Sequence, residues 1–138
     1  MTDITDIASQ FFGACQAGQG YEACKAYCTP TATFSAQSEA LAHVKTVEAY
    51  CGWAEALVKI LPDAHYDLVS FATDERRQCV IAYAVFHGTH TGEGGPVRAT
   101  GKSCASDYVL AMQFEGGKIR HVTKIWHSHL AMQSLGWV

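Results

Sequence analysis

Apolar and polar positions alternate with two different periods along this chain, and the change falls at Pro62. Before it the period is helical. Ile4, Ile7, Ala8, Phe11, Phe12 and Cys15 recur every three to four residues, with Asp3 or Thr5 as cap and Gly18–Gly20 as stop. "YEACKAYC" predicts a short second helix ending before Thr29–Pro30, and "TATFSA" a short strand. Residues 37–45 read as loop. Thr46 caps a third helix, with Glu48 in its first turn. Its apolar stripe runs Val47, Tyr50, Cys51, Ala54, Leu57, Val58, Leu61.

After Pro62 the period falls to two. Strands are predicted over 64–73, 78–91, 102–115 and 118–126, separated by the charged turn "DERR", the glycine-rich loop 92–101 and a tight hairpin at Gly116–Gly117. Helices first and a strand meander afterwards make an α+β order rather than alternating βαβ units. Long hairpin-linked strands twist and curl. A curled antiparallel sheet then buries one face on the leading helices and leaves a hollow, the usual place for a small ligand.

Composition narrows the picture. The 138 residues suit a single domain, 1–138, and 49% hydrophobic content supports a solid core. The net charge of −3 includes no basic stripe, so no nucleic-acid partner is expected. No apolar run reaches a membrane span, and the acidic opening "MTDITDIASQFF" has no secretory pattern. The expectation is no membrane association and a cytoplasmic location. The six cysteines, 15, 24, 28, 51, 79 and 104, form no C-x-x-C pair, so they read as buried, reduced thiols.

Three segments carry a resemblance. "VFHGTHTGEGGPVRATGKS", "FEGGKIRHVTKIW" with the tail "LAMQSLGW", and the opening "FFGACQAGQGYEACKAYCTPTATFSA" together resemble the SnoaL-like polyketide cyclases of the nuclear transport factor two-like superfamily, over nearly the whole chain. The resemblance implies a cone-shaped α+β barrel with an internal pocket, and a homodimer joined through the sheets. It also implies aldol-type cyclisation, isomerisation or dehydration of a small apolar carbonyl compound, with no metal and no organic cofactor. The same scaffold also carries plain binding proteins, so a non-catalytic ligand-binding or dimeric interaction module is the alternative.

The family commonly uses a carboxylate near the end of the last strand. This chain has His127 and Ser128 there, so acid/base work passes to His127, a residue suited to it near neutral pH. Asp107 is the second catalytic candidate, although parity groups it with Val109, Ala111 and Gln113, opposite the bulkier Tyr108, Leu110, Met112 and Phe114. Ligand-binding candidates are Tyr83 and His87, which share a face with Cys79, Ile81 and Val85, together with Tyr108 and Trp53. Trp53 is read as lying off its helix's main stripe, over the pocket mouth or a dimer contact. His127 and His129, two apart on an assumed strand, could form a metal fork with His87 or His90. No carboxylate stands at matching spacing, so no metal site is expected.

Overall fold

The computed structural model describes residues 3–138. Helix α1 (Ile4–Gln16) starts on Asp3, whose carboxylate accepts the Thr5 N–H. Its buried face is Ile4, Ala8, Phe11, Phe12 and Cys15. Helix α2 (Tyr21–Cys24) and a 3₁₀ turn (Lys25–Tyr27) lead into strand β1 (Cys28–Ala36). Helix α3 (Val47–Ile60) is capped by the Thr46 hydroxyl, which accepts the Ala49 N–H at 3.0 Å. Strands β2 (His65–Asp74), β3 (Cys79–Thr89), β4 (Ser103–Glu115) and β5 (Lys118–Trp126) follow, and helix α4 (Ser128–Leu135) closes the chain.

One five-stranded sheet holds all the strands in the order β1-β5-β4-β3-β2. The β2–β5 part is the expected antiparallel meander. The departure is β1, which pairs parallel to β5. The Gly116–Gly117 hairpin has φ of 58° and 80°, values that glycine adopts without strain.

The concave face carries the core. Val80, Ala82 and Ala84 of β3, Leu110 and Met112 of β4, and Ile119 and Val122 of β5 meet Phe11 and Phe12 of α1 and Tyr50 and Cys51 of α3. Phe12 contacts the rings of Tyr66, Phe71 and Tyr108 at centroid distances of 5.0–6.4 Å. A smaller second core joins Leu61, Cys104 and Leu135, with Phe86 and Trp137 packed against it. It is what fastens α4 to the end of the sheet. All six cysteines are free, and five of them are buried.

The 92–101 loop is strapped down. The Gly92 N–H donates to the Ile60 carbonyl at 2.9 Å, and a Cβ at this position would run into the Lys59 carbonyl. The Thr100 hydroxyl donates to the Leu135 carbonyl, tying the loop to α4. Among the described residues, no helix is long and apolar enough to cross a membrane.

Phe12 links α1 to three ring partners across the core. Phe12→Ala is expected to cost about 3–5 kcal/mol, read as a lower urea midpoint with an unchanged slope.

Candidate functional site

The parity of β5 places Val122 and Lys124 on the concave face, and a lysine there is costly unless something receives it. Lys124 is 6% exposed. Its Nζ lies 4.5–5.1 Å from the ring centroids of Trp126, Trp53, Tyr108 and Tyr50. It also stands 3.1 Å from the Tyr50 hydroxyl. Gln16 completes the polar set, donating its amide N–H to the Tyr50 oxygen at 3.3 Å and accepting the Tyr108 hydroxyl at 2.8 Å. A Lys124–Tyr50–Gln16–Tyr108 chain of polar atoms therefore runs through an otherwise apolar interior.

Two effects oppose each other at this amine. Burial disfavours the ammonium and lowers the Lys124 pKa to about 7. The four ring faces attract a cation and limit the cost of carrying it. Burial also pushes the Tyr50 and Tyr108 hydroxyls well up, so both stay protonated as donors. Near neutral pH the lysine thus exchanges a proton beside a Tyr50 hydroxyl that does not.

The amine borders a void of about 20 Å³ whose walls include Trp53, Leu57, Phe86 and Trp126. The same four residues form one wall of a larger chamber of about 270 Å³. Ile60, Leu61, Cys104, Met132, Leu135 and Trp137 also line it. Trp137 is held by His90, whose Nδ1 accepts the indole N–H at 2.9 Å and the Thr100 N–H at 3.3 Å. An apolar chamber with a single titratable amine behind its tryptophan wall can hold a small, mostly apolar molecule.

The earlier candidates separate into inside and outside. Tyr108 lies inside, on the buried face of β4. Trp53 is also inside. It stacks on Tyr50 at 5.9 Å, since three residues on a helix return to nearly the same face. Its placement off the main stripe is corrected.

The Cys79–His87 set does not line the interior. Val80, Ala82 and Ala84 are the buried ones, so Tyr83 and His87 lie on the convex face. Asp107 is exposed there too, accepting the Tyr83 hydroxyl at 3.0 Å and holding that hydroxyl's pKa up. His127 is exposed and caps α4, its Nδ1 accepting the Leu130 N–H at 3.1 Å. His127, His129, Asp107 and Tyr83 all line an open outer groove of about 1010 Å³. The His127–His129 fork does not form on a strand, because α4 begins at Ser128 and helical residues two apart diverge.

Lys124 is not among the residues the sequence singles out, which are acids, histidines and aromatics. Its signal was present: it stands at even spacing from Val122 and Trp126 on an inward face.

Comparison with known proteins follows the same outline. The sequence profile of the SnoaL-like polyketide cyclases matches residues 6–135. IdmH of Streptomyces antibioticus, described as a candidate polyketide cyclase, superimposes with a TM-score of 0.77 at 16% identity, covering 98% of this chain and 99% of that one. A candidate SnoaL-like polyketide cyclase from Jannaschia sp. CCS1 gives 0.78 at 13% identity, covering 96% and 90%. A protein of ketosteroid isomerase-like fold from Catenulispora acidiphila, solved with trimethylamine, gives 0.69 at 14%, covering 96% and 93%. No curated protein matches by sequence. At these identities the structures are alike in fold.

The buried amine predicts a pH dependence of stability. An unfolded lysine titrates near about 10.4, and the folded one near about 7. Between those values the unfolded chain holds a proton that the folded chain has lost, so stability rises with pH through the window. Below it both forms are charged and the burial penalty is at full size. Measured as urea midpoints from about pH 7 upward, the wild type should gain stability relative to Lys124→Met, and Lys124→Met should be the more stable form at pH 7; the buried thiols, whose pKa values burial pushes up, act alike in both proteins and cancel in that difference.

Proposed function

The chain belongs to the SnoaL-like polyketide cyclase family, and on that premise we propose that it binds a small apolar carbonyl compound and moves a proton on it with Lys124. The observation that carries this reading is the buried amine, held at about 7 behind the wall of a chamber. A general base works best when its pKa lies near the working pH, and this one does. About half of Lys124 is neutral at pH 7 and can take a proton from the carbon next to a carbonyl. The Tyr50 hydroxyl lies beside it and can donate to the oxygen as it gains charge. Returning the proton to a different carbon isomerises the compound. Letting the enolate carbon attack a second carbonyl closes a ring. Neither step needs a metal or an organic cofactor. A chamber near 270 Å³ lies at the small end of ligand pockets and suits a compact ligand. Trp53 and Trp126 meet edge to face at 5.8 Å between chamber and amine, so the ligand must displace one of them to reach Lys124.

This reading moves acid/base work from His127 and Asp107 to Lys124, the only titratable group of the three on the concave side. The outer groove fits the other role expected of the fold, pairing with a second copy. Ile125, one of its lining residues, is 63% exposed beside its β4 partner Val109, and exposed apolar side chains with a polar rim are how homodimer faces are built.

Two measurements test these readings. In deuterated buffer, the wild type should accelerate hydrogen–deuterium exchange at the α-carbon of a compact bicyclic ketone such as 1-tetralone, with a rate that rises through pH 7. Lys124→Met should lose at least the about 100-fold typical of a positioned base, while still binding the ketone by tryptophan fluorescence. Equal exchange by the two proteins rules Lys124 out. For the outer face, Ile125→Glu should run as a monomer on size-exclusion chromatography with light scattering where the wild type runs as a dimer.

A further inference from the structure

The β2–β3 register brings together three metal-binding side chains that are scattered in the sequence. His65 pairs directly with His87, and Asp67 lies two residues further along β2 on the same face as His65. The two imidazoles stack with centroids 4.8 Å apart and planes 12° from parallel. His87 Nε2 stands 3.0 Å from Asp67 Oδ2. One donor atom from each of the three residues lies within 4.8 Å of the others.

The surroundings of His65 are also set. Its Nδ1 lies 3.0 Å from the Asp63 carbonyl oxygen. A carbonyl oxygen only accepts, so Nδ1 carries the proton and Nε2 keeps a free lone pair. This backing of a ligating imidazole by an acceptor is the usual outer support of a metal site. Asp63 is itself fixed, because its carboxylate accepts the Thr89 N–H at 2.7 Å and its pKa is held low by that contact. The support therefore spans both strands.

We infer that His65, His87 and Asp67 form a surface site for one divalent transition-metal ion, on the convex face at the β2 edge of the sheet. Metal–ligand bonds of about 2.0–2.1 Å put neighbouring donors roughly 3–3.4 Å apart. The His87–Asp67 pair already has that spacing. His65 is exposed and needs only a side-chain rotation to close on the other two. The ion takes the place of the hydrogen between His87 and Asp67. Two imidazoles and one carboxylate select zinc, nickel or copper over magnesium or calcium, which require oxygen donors. The remaining coordination positions face solvent and take water or a small exogenous donor. The site is on the opposite side of the sheet from Lys124 and does not depend on the function proposed above.

Isothermal titration of the full chain with ZnCl2, in a non-chelating buffer at neutral to slightly alkaline pH, tests it. The wild type should take up one ion per chain. His65→Ala and His87→Ala should each weaken binding by more than the about 10–100-fold that a lost outer partner costs, and Asp67→Asn by at least tenfold. MgCl2 should give no heat. All three positions lie at the surface, so the variants should keep the wild-type circular dichroism and urea midpoint. As a second reading, Ni²⁺ should broaden amide resonances around residues 65, 67 and 87 first. Zinc uptake that survives in both histidine variants, or broadening centred on the cysteines, would overturn the assignment.

Discussion

The amine of Lys124 is the constraint around which the interior is arranged. An ammonium taken out of water is among the most expensive groups a core can hold. Here it is received by four aromatic faces and one hydroxyl rather than by a carboxylate. The distinction is chemical. A carboxylate partner would fix the lysine as a cation and raise its pKa, whereas rings and a hydroxyl leave it close to balance at neutral pH. Tyr50 accommodates both states, since its oxygen accepts from the ammonium and its proton can be donated to the neutral amine.

Four elements contribute to that arrangement. Helix α3 supplies Tyr50 and Trp53, β4 supplies Tyr108, and β5 supplies Lys124 and Trp126. Gln16, at the last turn of α1, ties two of the hydroxyls together. The rings also hold one another: Phe34 stacks on Tyr50 at 4.4 Å and Tyr50 on Trp53 at 5.9 Å. A Trp126 N–H donated to Ser106 at 2.7 Å fixes the last wall. The second core then closes the far end of the chamber. Its latch is His90, which reaches both the glycine-rich loop and Trp137 and so joins two segments distant in sequence. The glycine-rich loop 92–101 is thus a strap on the chamber wall.

Much of this was legible in the chain. The period change at Pro62 marks the passage from helices to meander, and Asp3, Thr46 and Gly116–Gly117 mark element ends because caps and tight turns depend on local chemistry. The alternation of β4 put Tyr108, Leu110, Met112 and Phe114 inside, as found. Pairing was less legible. Nothing local to "TATFSA" says that β1 runs parallel to β5, since partner choice is a long-range property. The same limit hid His65 and Asp67, which meet His87 only through the β2–β3 register. On β3 both faces are rich in β-formers, so alternation alone did not say which set turns inward. The small Ala82 and Ala84 belong inside and the larger Ile81 and Tyr83 outside, because helix side chains fill the concave face. At the last strand, the expected corner held His127 and the working candidate was three residues earlier.

Lys124 switches between charged and neutral within the physiological range, and that switch can be read directly. With lysines labelled at Cε, the Lys124 resonance in a carbon NMR titration should move with a midpoint near about 7, while the exposed lysines titrate near about 10.4. A Lys124 resonance that stays with the exposed lysines up to their own midpoint would show the amine charged throughout that range and rule the switch out.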